Sequence, residues 1–238
     1  MGSEVSTGSG RAARGRDERR QAILDGAFAV FARHGYARTC VMDIAREAGV
    51  AKPTVYNHLH DKESLYREAV EGMADRVGAQ GVAAVDPLRE AATAGDPRAS
   101  LTTAGHALLA VLTSQDARAV RQLAGTQATQ FPGLAASVHA RTAPRVRAAL
   151  ADRLARLSLA GHLRPCDPDL AAAHFLALLT GPLEYQPEPA DGAAGAGDAA
   201  GDSDGGTVGG GAVDATGNVV GGAAVDAAVD VFLRAYGG

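Results

Sequence analysis

Apolar residues recur at three- and four-residue steps along much of this 238-residue chain, beginning with Ile23, Leu24, Ala27, Phe28 and Phe31. That period predicts a helix from Asp17 with one face turned to a core. His34-Gly35 predicts its end, since glycine suits a left-handed cap. Two short helices are expected over 41–48 and 52–58. A longer one opens at Asp61, an N-cap, and runs to residue 83. Pro87 and Asp96-Pro97 read as breaks. Helices follow over 98–113, 116–130 and 133–160, with Pro144 kinking or dividing the last. Asp167-Pro168 starts another, with the proline in its first turn, and it stops near Gly181-Pro182. The closing segment AAVDAAVDVFLRAY places Val225, Val229, Phe232 and Leu233 at helical steps. No alternating strand pattern competes, so the fold class is all-α. Residues 1–16 are rich in Gly, Ser and Arg and read as a disordered basic arm. Residues 186–222, a Gly/Ala/Asp-rich stretch with little to bury, read as a flexible loop.

One short stretch departs from simple amphipathic patterning: TCVMDIAREAGVAKPTVYNHLHDK, residues 39–62. Two helices meeting at a steep angle need a small residue inside the first, a glycine in the turn and an apolar plug on the second. Ala45, Gly49 and Val55 fill those places. Ile44, Ala48, Val50 and Leu59 supply buried sides, and Phe28 and Phe31 can pack over them. The second helix then exposes Lys52, Thr54, Tyr56, Asn57 and His58. Lysine and hydroxyls suit phosphate oxygens, asparagine reads adenine edges, and a threonine methyl can touch thymine. A helical hairpin with a merely solvated polar face is the plainer alternative.

Charge sharpens this picture. The chain as a whole carries a net charge of -4, which does not suggest a nucleic-acid partner. Residues 1–62, however, hold ten Arg or Lys against seven Asp or Glu, a net of +3, and the remainder holds thirteen against twenty, a net of -7. A basic end on an acidic body is the asymmetry expected when one segment meets phosphates. Arg11, Arg14, Arg16, Arg19 and Arg20 could reach the backbone or minor groove, or form a solvated tail.

The pattern FARHGY at Phe31–Tyr36, with Thr39, Asp43-Ile44-Ala45, Ala48-Gly49-Val50, Lys52, Thr54–His58, Lys62-Glu63 and Leu65-Tyr66, resembles the DNA-binding domain of the TetR (tetracycline-repressor) family of bacterial regulators. The resemblance implies that Lys52, Thr54, Tyr56, Asn57 and His58 form the recognition face. Tyr56 and Lys62 would clamp phosphates, with Val41 and Met42 near the DNA backbone. Pro53 stands where a small residue is frequent, Leu59 replaces the usual Phe, and Cys40 stands where a Ser or Thr cap is usual, which weakens that cap by about 1 kcal/mol. Farther on, the FPGLA at 131–135, Pro144, Gly161-His162-Leu163 and Asp167–Ala172 resemble the AefR-type C-terminal subclass. The implied organisation is a basic arm (1–16), a three-helix helix-turn-helix domain (17–66) and a helical effector-binding and dimerisation domain (67–238).

The family resemblance also implies a homodimer on a near-palindromic DNA operator, and the helices at 168–183 and 223–236 are candidates for its bundle; plain intradomain core would give the same periodicity. A small-molecule effector would sit among the helices of the body. His106, Gln122, Thr126, Gln127, Thr129, Gln130, His139 and His174 are its polar candidates, with Gln122, Thr126 and Thr129 on one helical face. A solvated stripe explains that face equally, and His174 among Ala and Leu also fits a satisfied core histidine. With aromatics at 4%, an aliphatic or small polar effector fits better than a broad aromatic one.

Other classes find little support. There is no GxSxG, P-loop or HExxH, and His58-x-His60 falls on the expected DNA face, so neither an enzyme, a metal site nor a cofactor is expected. Cys40 and Cys166 are too few for a disulfide framework. No apolar run is long enough for a membrane span. No apolar stretch follows the first basic residues, so no secretory signal is expected, and the reading is cytoplasmic. Three functions remain to be separated: a ligand-responsive repressor, a DNA-binding regulator without a small-molecule effector, and, far behind, an enzyme. Deleting residues 190–220 should leave dimerisation and DNA binding intact by sizing chromatography and gel shift; a monomeric or non-binding product would show that the stretch is more than a spacer.

Overall fold

A computed structural model describes residues 7–58, 61–91, 95–184 and 222–238. In chain order the helices are α1 (Thr7–Arg38), α2 (Val41–Glu47), α3 (Lys52–His58), α4 (Lys62–Ala84), α5 (Pro87–Ala91), α6 (Pro97–Leu112), α7 (Gln115–Thr126), α8 (Leu134–Arg141), α9 (Ala143–Leu159), α10 (Pro168–Glu184) and α11 (Gly222–Tyr236). The all-α expectation holds; among the described residues the only β-type pairing is an isolated bridge between Leu163 and Gly237.

Several boundaries follow from local chemistry. Gly35 breaks α1 at φ 73° and ψ 166°, a region open to glycine alone. Asp61 caps α4: its carboxylate accepts from the Ser64 amide at 2.6 Å, and the Ser64 hydroxyl accepts from the Asp61 amide at 3.4 Å. Thr142 divides α8 from α9, leaving Pro144 in the first turn of α9, where its missing N–H costs nothing. The Asp167 carboxylate caps α10 through the amides of Asp169 and Leu170.

Three expectations need correction. The segment 7–16, read as a disordered arm, is helical and continuous with α1; the alanines and arginines there are good helix formers and offset the glycines. Pro87 does not simply break the chain but opens the short helix α5. The helix expected over 116–130 stops at Thr126, because Gln127 leaves helical geometry and Pro132 cannot rejoin it. The turn that results ends at Gly133 (φ 89°), which starts α8, and it delivers Phe131 into a core.

The chain forms two compact units. One comprises the residues through Ala83 together with Val111–Val146; the other comprises Ala84–Ala110 and Arg147–Gly238. The motif ends near residue 66, but the packing groups α4, α7 and α8 with it. In the first unit a single core joins Ile23, Phe28 and Phe31 of α1, Ile44 and Ala45 of α2 and Val55 of α3 to Leu65, Tyr66 and Val70 of α4. Val120, Leu123, Phe131, Leu134 and Val138 complete it. At its centre Tyr66 and Phe131 stack with centroids 4.8 Å apart, and Phe31 meets Tyr66 edge-on at 4.8 Å. Burying a side chain of this size contributes about 1.5–3 kcal/mol, with about 0.5–1.5 kcal/mol more for each well-placed ring pair. The Tyr66 hydroxyl donates to the Leu123 carbonyl at 2.9 Å, tying α4 to α7.

Beyond the rings, Gly78 lets α4 approach the end of α8, since a Cβ there would overlap the Arg141 carbonyl oxygen. Arg141 pairs with Asp75 at 2.6 Å and Glu71 at 3.3 Å, and Ser137 donates to Glu71 at 2.7 Å. In the second unit α10 packs on α11 through Phe175 and Phe232, with centroids 5.1 Å apart. Gly105 of α6 admits Val225 of α11. Arg153 is buried and pairs with Asp86 and Asp152.

Burial pushes the Tyr66 phenol up to about 12, from an ordinary value of about 10. The neutral phenol is thus the form the fold holds. Its contribution is intact below pH ~10 and drains as pH rises towards 12. Chemical denaturation across that window should show falling stability in the wild type. Tyr66→Phe should start about 1 kcal/mol lower at neutral pH and lose less on the alkaline side; an equally steep alkaline loss would show that Tyr66 does not carry it.

Candidate nucleic-acid interface

The turn between α2 and α3 is built as the motif requires. Gly49 has φ 65°; its amide donates to the Arg46 carbonyl at 3.2 Å, and the Val50 amide reaches back to the Ala45 carbonyl at 2.9 Å. This pair of bonds is a Schellman ending, with glycine at its left-handed position. Ala45 and Val55, with Ile44, are buried in the core that α2 and α3 share with α1 and α4. Gly26 lets α1 close over the end of α2, because a Cβ there would press on Ala48. Arg33 of α1 pairs with Glu47 of α2.

The outward side of α3 carries exposed Lys52, Pro53, Tyr56 and Asn57, with Thr54 half-buried beside them. The Tyr56 ring is 45% exposed despite its size, and the Lys52 ammonium lies 6.0 Å from its centre. His58 closes the helix; its side chain, with Leu59 and His60, lies outside the described residues. Met42 is half exposed and Val41 half-buried at the start of α2. Lys62 sits at the first turn of α4 with its ammonium 4.5 Å from the centre of the Tyr36 ring. Lys52, Tyr56 and Asn57 of α3 are therefore all open to solvent, with Lys62 following at the start of α4.

Cys40 occupies the N-cap of α2 and makes no capping bond to the backbone. Its thiol donates instead to the Asp43 carboxylate at 2.9 Å, and that bond, helped by Arg46, holds Asp43 below the usual carboxylate range. Of the five arm arginines, Arg20 is engaged with Glu68 of α4.

The effector candidates lie elsewhere. Gln122 and Thr126 on α7, Thr129 in the following turn and His139 on α8 are exposed in the first unit. His106 on α6 and His174 on α10 are exposed in the second. His174 is therefore no core histidine; its Nδ1 meets the Tyr236 hydroxyl at 2.5 Å. Among the described residues no three His, Cys, Asp or Glu side chains converge as metal ligands. Tyr36 and Phe131 matter more than their places in the sequence suggested. Tyr36 stands among the motif's matched residues and Phe131 within FPGLA, but periodicity cannot show two rings from distant segments meeting under Lys62.

Comparison with known proteins places this geometry. A family model described as bacterial regulatory proteins, tetR family, matches residues 23–69. A second, the C-terminal domain of AefR-like transcriptional repressors, matches residues 99–186. The chain belongs to the TetR family. Members of this family are non-enzymatic DNA-binding regulators. Among curated relatives, the transcriptional repressor KstR2 of Rhodococcus jostii is 39% identical over 61 residues, which is 26% of this chain and 30% of that protein. The transcriptional activator FasR of Mycolicibacterium smegmatis is 39% identical over 62 residues, 26% and 28% of the two chains. The chain thus matches less than a third of the length of either relative. A crystal structure attributed to a TetR-family regulator of Mesorhizobium loti superposes with a TM-score of 0.71 at 24% identity, covering 94% of this chain and 98% of that one. That likeness extends the TetR-type fold across the described helices.

Tyr56→Ala and Lys52→Ala should weaken binding to all duplexes alike, and Lys52→Ala, which removes a cation, should also lower the salt slope by about 0.9 for each phosphate no longer neutralised. Asn57→Ala should instead relax one base preference by about 1–3 kcal/mol. Fluorescence anisotropy on matched and mismatched duplexes separates the two; a Tyr56→Ala protein that binds as well as wild type at moderate salt would remove Tyr56 from the interface.

Proposed function

We propose that the protein is a homodimeric transcriptional repressor that leaves a near-palindromic operator when a small molecule binds its helical body. The observation that carries the DNA half of this reading is the outward face of α3, where Lys52, Tyr56 and Asn57 stand clear of a turn fixed by Gly49 and plugged by Val55. In this reading Lys52, Tyr56 and Lys62 grip phosphates, Asn57, Thr54 and His58 read bases, and Val41, Met42 and Pro53 lie against the backbone.

One such module reads a short half-site, so two copies are needed. The second unit offers a face for pairing: Leu170, 51% exposed, and Ala177 on α10 lie outward, as do Ala227 and Val231, 47% exposed, on α11. One large apolar side chain left in water on each helix, with small alanines beside it, suits close packing against a second copy. The AefR-like match over 99–186 supports repression, and the activator FasR among the relatives makes the sign of regulation a point to measure. Effector binding would move the two recognition helices out of register with successive major grooves; a coupling of about 1–3 kcal/mol changes operator affinity 5–150-fold. Among the described residues no helix is long and apolar enough to cross a membrane, in keeping with action on DNA in the cytoplasm.

A second reading is a DNA-binding regulator with no small-molecule effector, constitutive or controlled by a protein partner. The exposure of seven of the eight polar pocket candidates, all but the half-buried Gln127, favours it. Selecting bound duplexes from a random pool, and titrating the recovered site against a metabolite library, separates the readings. The first requires an enriched palindrome released by a small aliphatic or polar compound. A palindrome indifferent to every compound selects the second, and no enriched site removes both.

A further inference from the structure

We propose that Phe131, on the turn between α7 and α8, is a positioning residue for DNA binding: it holds the Tyr36 ring as a platform from which Lys62 presents its ammonium to a phosphate. The inference rests on the reading of Lys62 as a phosphate contact and adds to it the residue that fixes that lysine.

Lysine is a flexible point charge, so a reproducible contact needs something to hold the stem. The face of Tyr36 does this, with the ammonium 4.5 Å from the ring centre, well within cation–π range. Tyr36 is only half-buried and follows the helix break at Gly35, so its own orientation needs support. Phe31 and Tyr66 supply part of it, with centroids at 6.1 and 5.0 Å. Both belong to α1 and α4, the elements that carry Tyr36 and Lys62 themselves. Among the described residues, Phe131 is the one aromatic neighbour of this ring from outside the helix-turn-helix segment. It is 1% exposed, meets Tyr36 edge-on at 5.0 Å and 84°, and stacks on Tyr66. Its turn is itself fixed, by the Phe131 amide on the Gln127 carbonyl at 2.8 Å and the Leu134 amide on the Phe131 carbonyl at 3.1 Å. A segment of the AefR-like match thus forms the wall behind a DNA-facing cation.

The test is a double-mutant cycle on a duplex selected from a random pool by the wild-type protein, with Lys62→Ala, Phe131→Leu and the double variant. Phe131→Leu keeps an apolar group in the socket and removes the ring; thermal melting verifies that each variant is folded. In Lys62→Ala the salt slope should fall by about 0.9 per protomer, one phosphate in each being left without its cation. It should fall similarly in Phe131→Leu, and no further in the double variant. In the free protein, NMR should show the ring-current shift of the Lys62 methylenes in the wild type and its disappearance in Phe131→Leu. A wild-type slope in Phe131→Leu beside a reduced one in Lys62→Ala, additive reductions, or an unchanged ring-current shift overturns the positioning role alone. A wild-type slope in Lys62→Ala overturns the phosphate-contact reading on which it stands.

Discussion

The stacked pair of Tyr66 and Phe131 is the contact on which the DNA-reading end of this protein depends. The core of α1, α2, α3 and α4 is completed here by residues of α7, the turn after it and α8. Phe131 enters from one side, Phe31 from the other, and Tyr66 lies between them with its hydroxyl satisfied by the Leu123 carbonyl. Removing that hydroxyl would leave a buried carbonyl short of a partner, and removing either ring would open a cavity at the centre of the unit. The ion pairs of Arg141 with Glu71 and Asp75 lie outside this core and are half exposed; they align α4 with α8 and contribute less.

From this core the interface follows by short steps. Buried Ile44, Ala45 and Val55 fix the angle between α2 and α3, and the left-handed Gly49 lets the turn be tight enough to hold it. With Val55 of α3 inward, Lys52, Tyr56 and Asn57 of the same helix are left exposed to solvent. Lys62 is placed differently: it depends on Tyr36, and Tyr36 depends on rings from three elements. A TetR-family helix-turn-helix of this kind is therefore continuous with part of the segment that its sequence would assign to the body.

Much of this was legible in the amino-acid order because it is local. The caps at Asp61 and Asp167, the positive φ at Gly35 and Gly49, and the small-residue spacing of the motif each depend on a few neighbouring residues. The helix boundaries around Thr126 and Thr142 were approximate, since Pro132 and Pro144 announce an interruption without fixing its position. Residues 7–16 misled because arginine and alanine favour a helix as strongly as glycine and serine suggest disorder. The candidate site was legible where spacing defines it, at Lys52, Tyr56 and Asn57. The effector candidates were chosen for polarity within helices, but polarity is equally the signature of a solvated face, and all but the half-buried Gln127 are exposed. Phe131 was out of reach for another reason: its partners Tyr36 and Tyr66 are distant in the chain, and a lone aromatic in a turn carries no period.

The central claim is that α1–α4 and α7–α8 are one cooperative unit, closed by Phe131. Native-state hydrogen exchange along a denaturant series measures it directly. The account predicts that the slowest amides of Phe28, Ile44, Val70, Leu123 and Val138 converge on one opening free energy with one denaturant dependence. If the amides of Phe28 and Ile44 exchange through a separate, lower-energy opening while those of Leu123 and Val138 stay closed, the DNA-reading helices fold on their own and the account is contradicted.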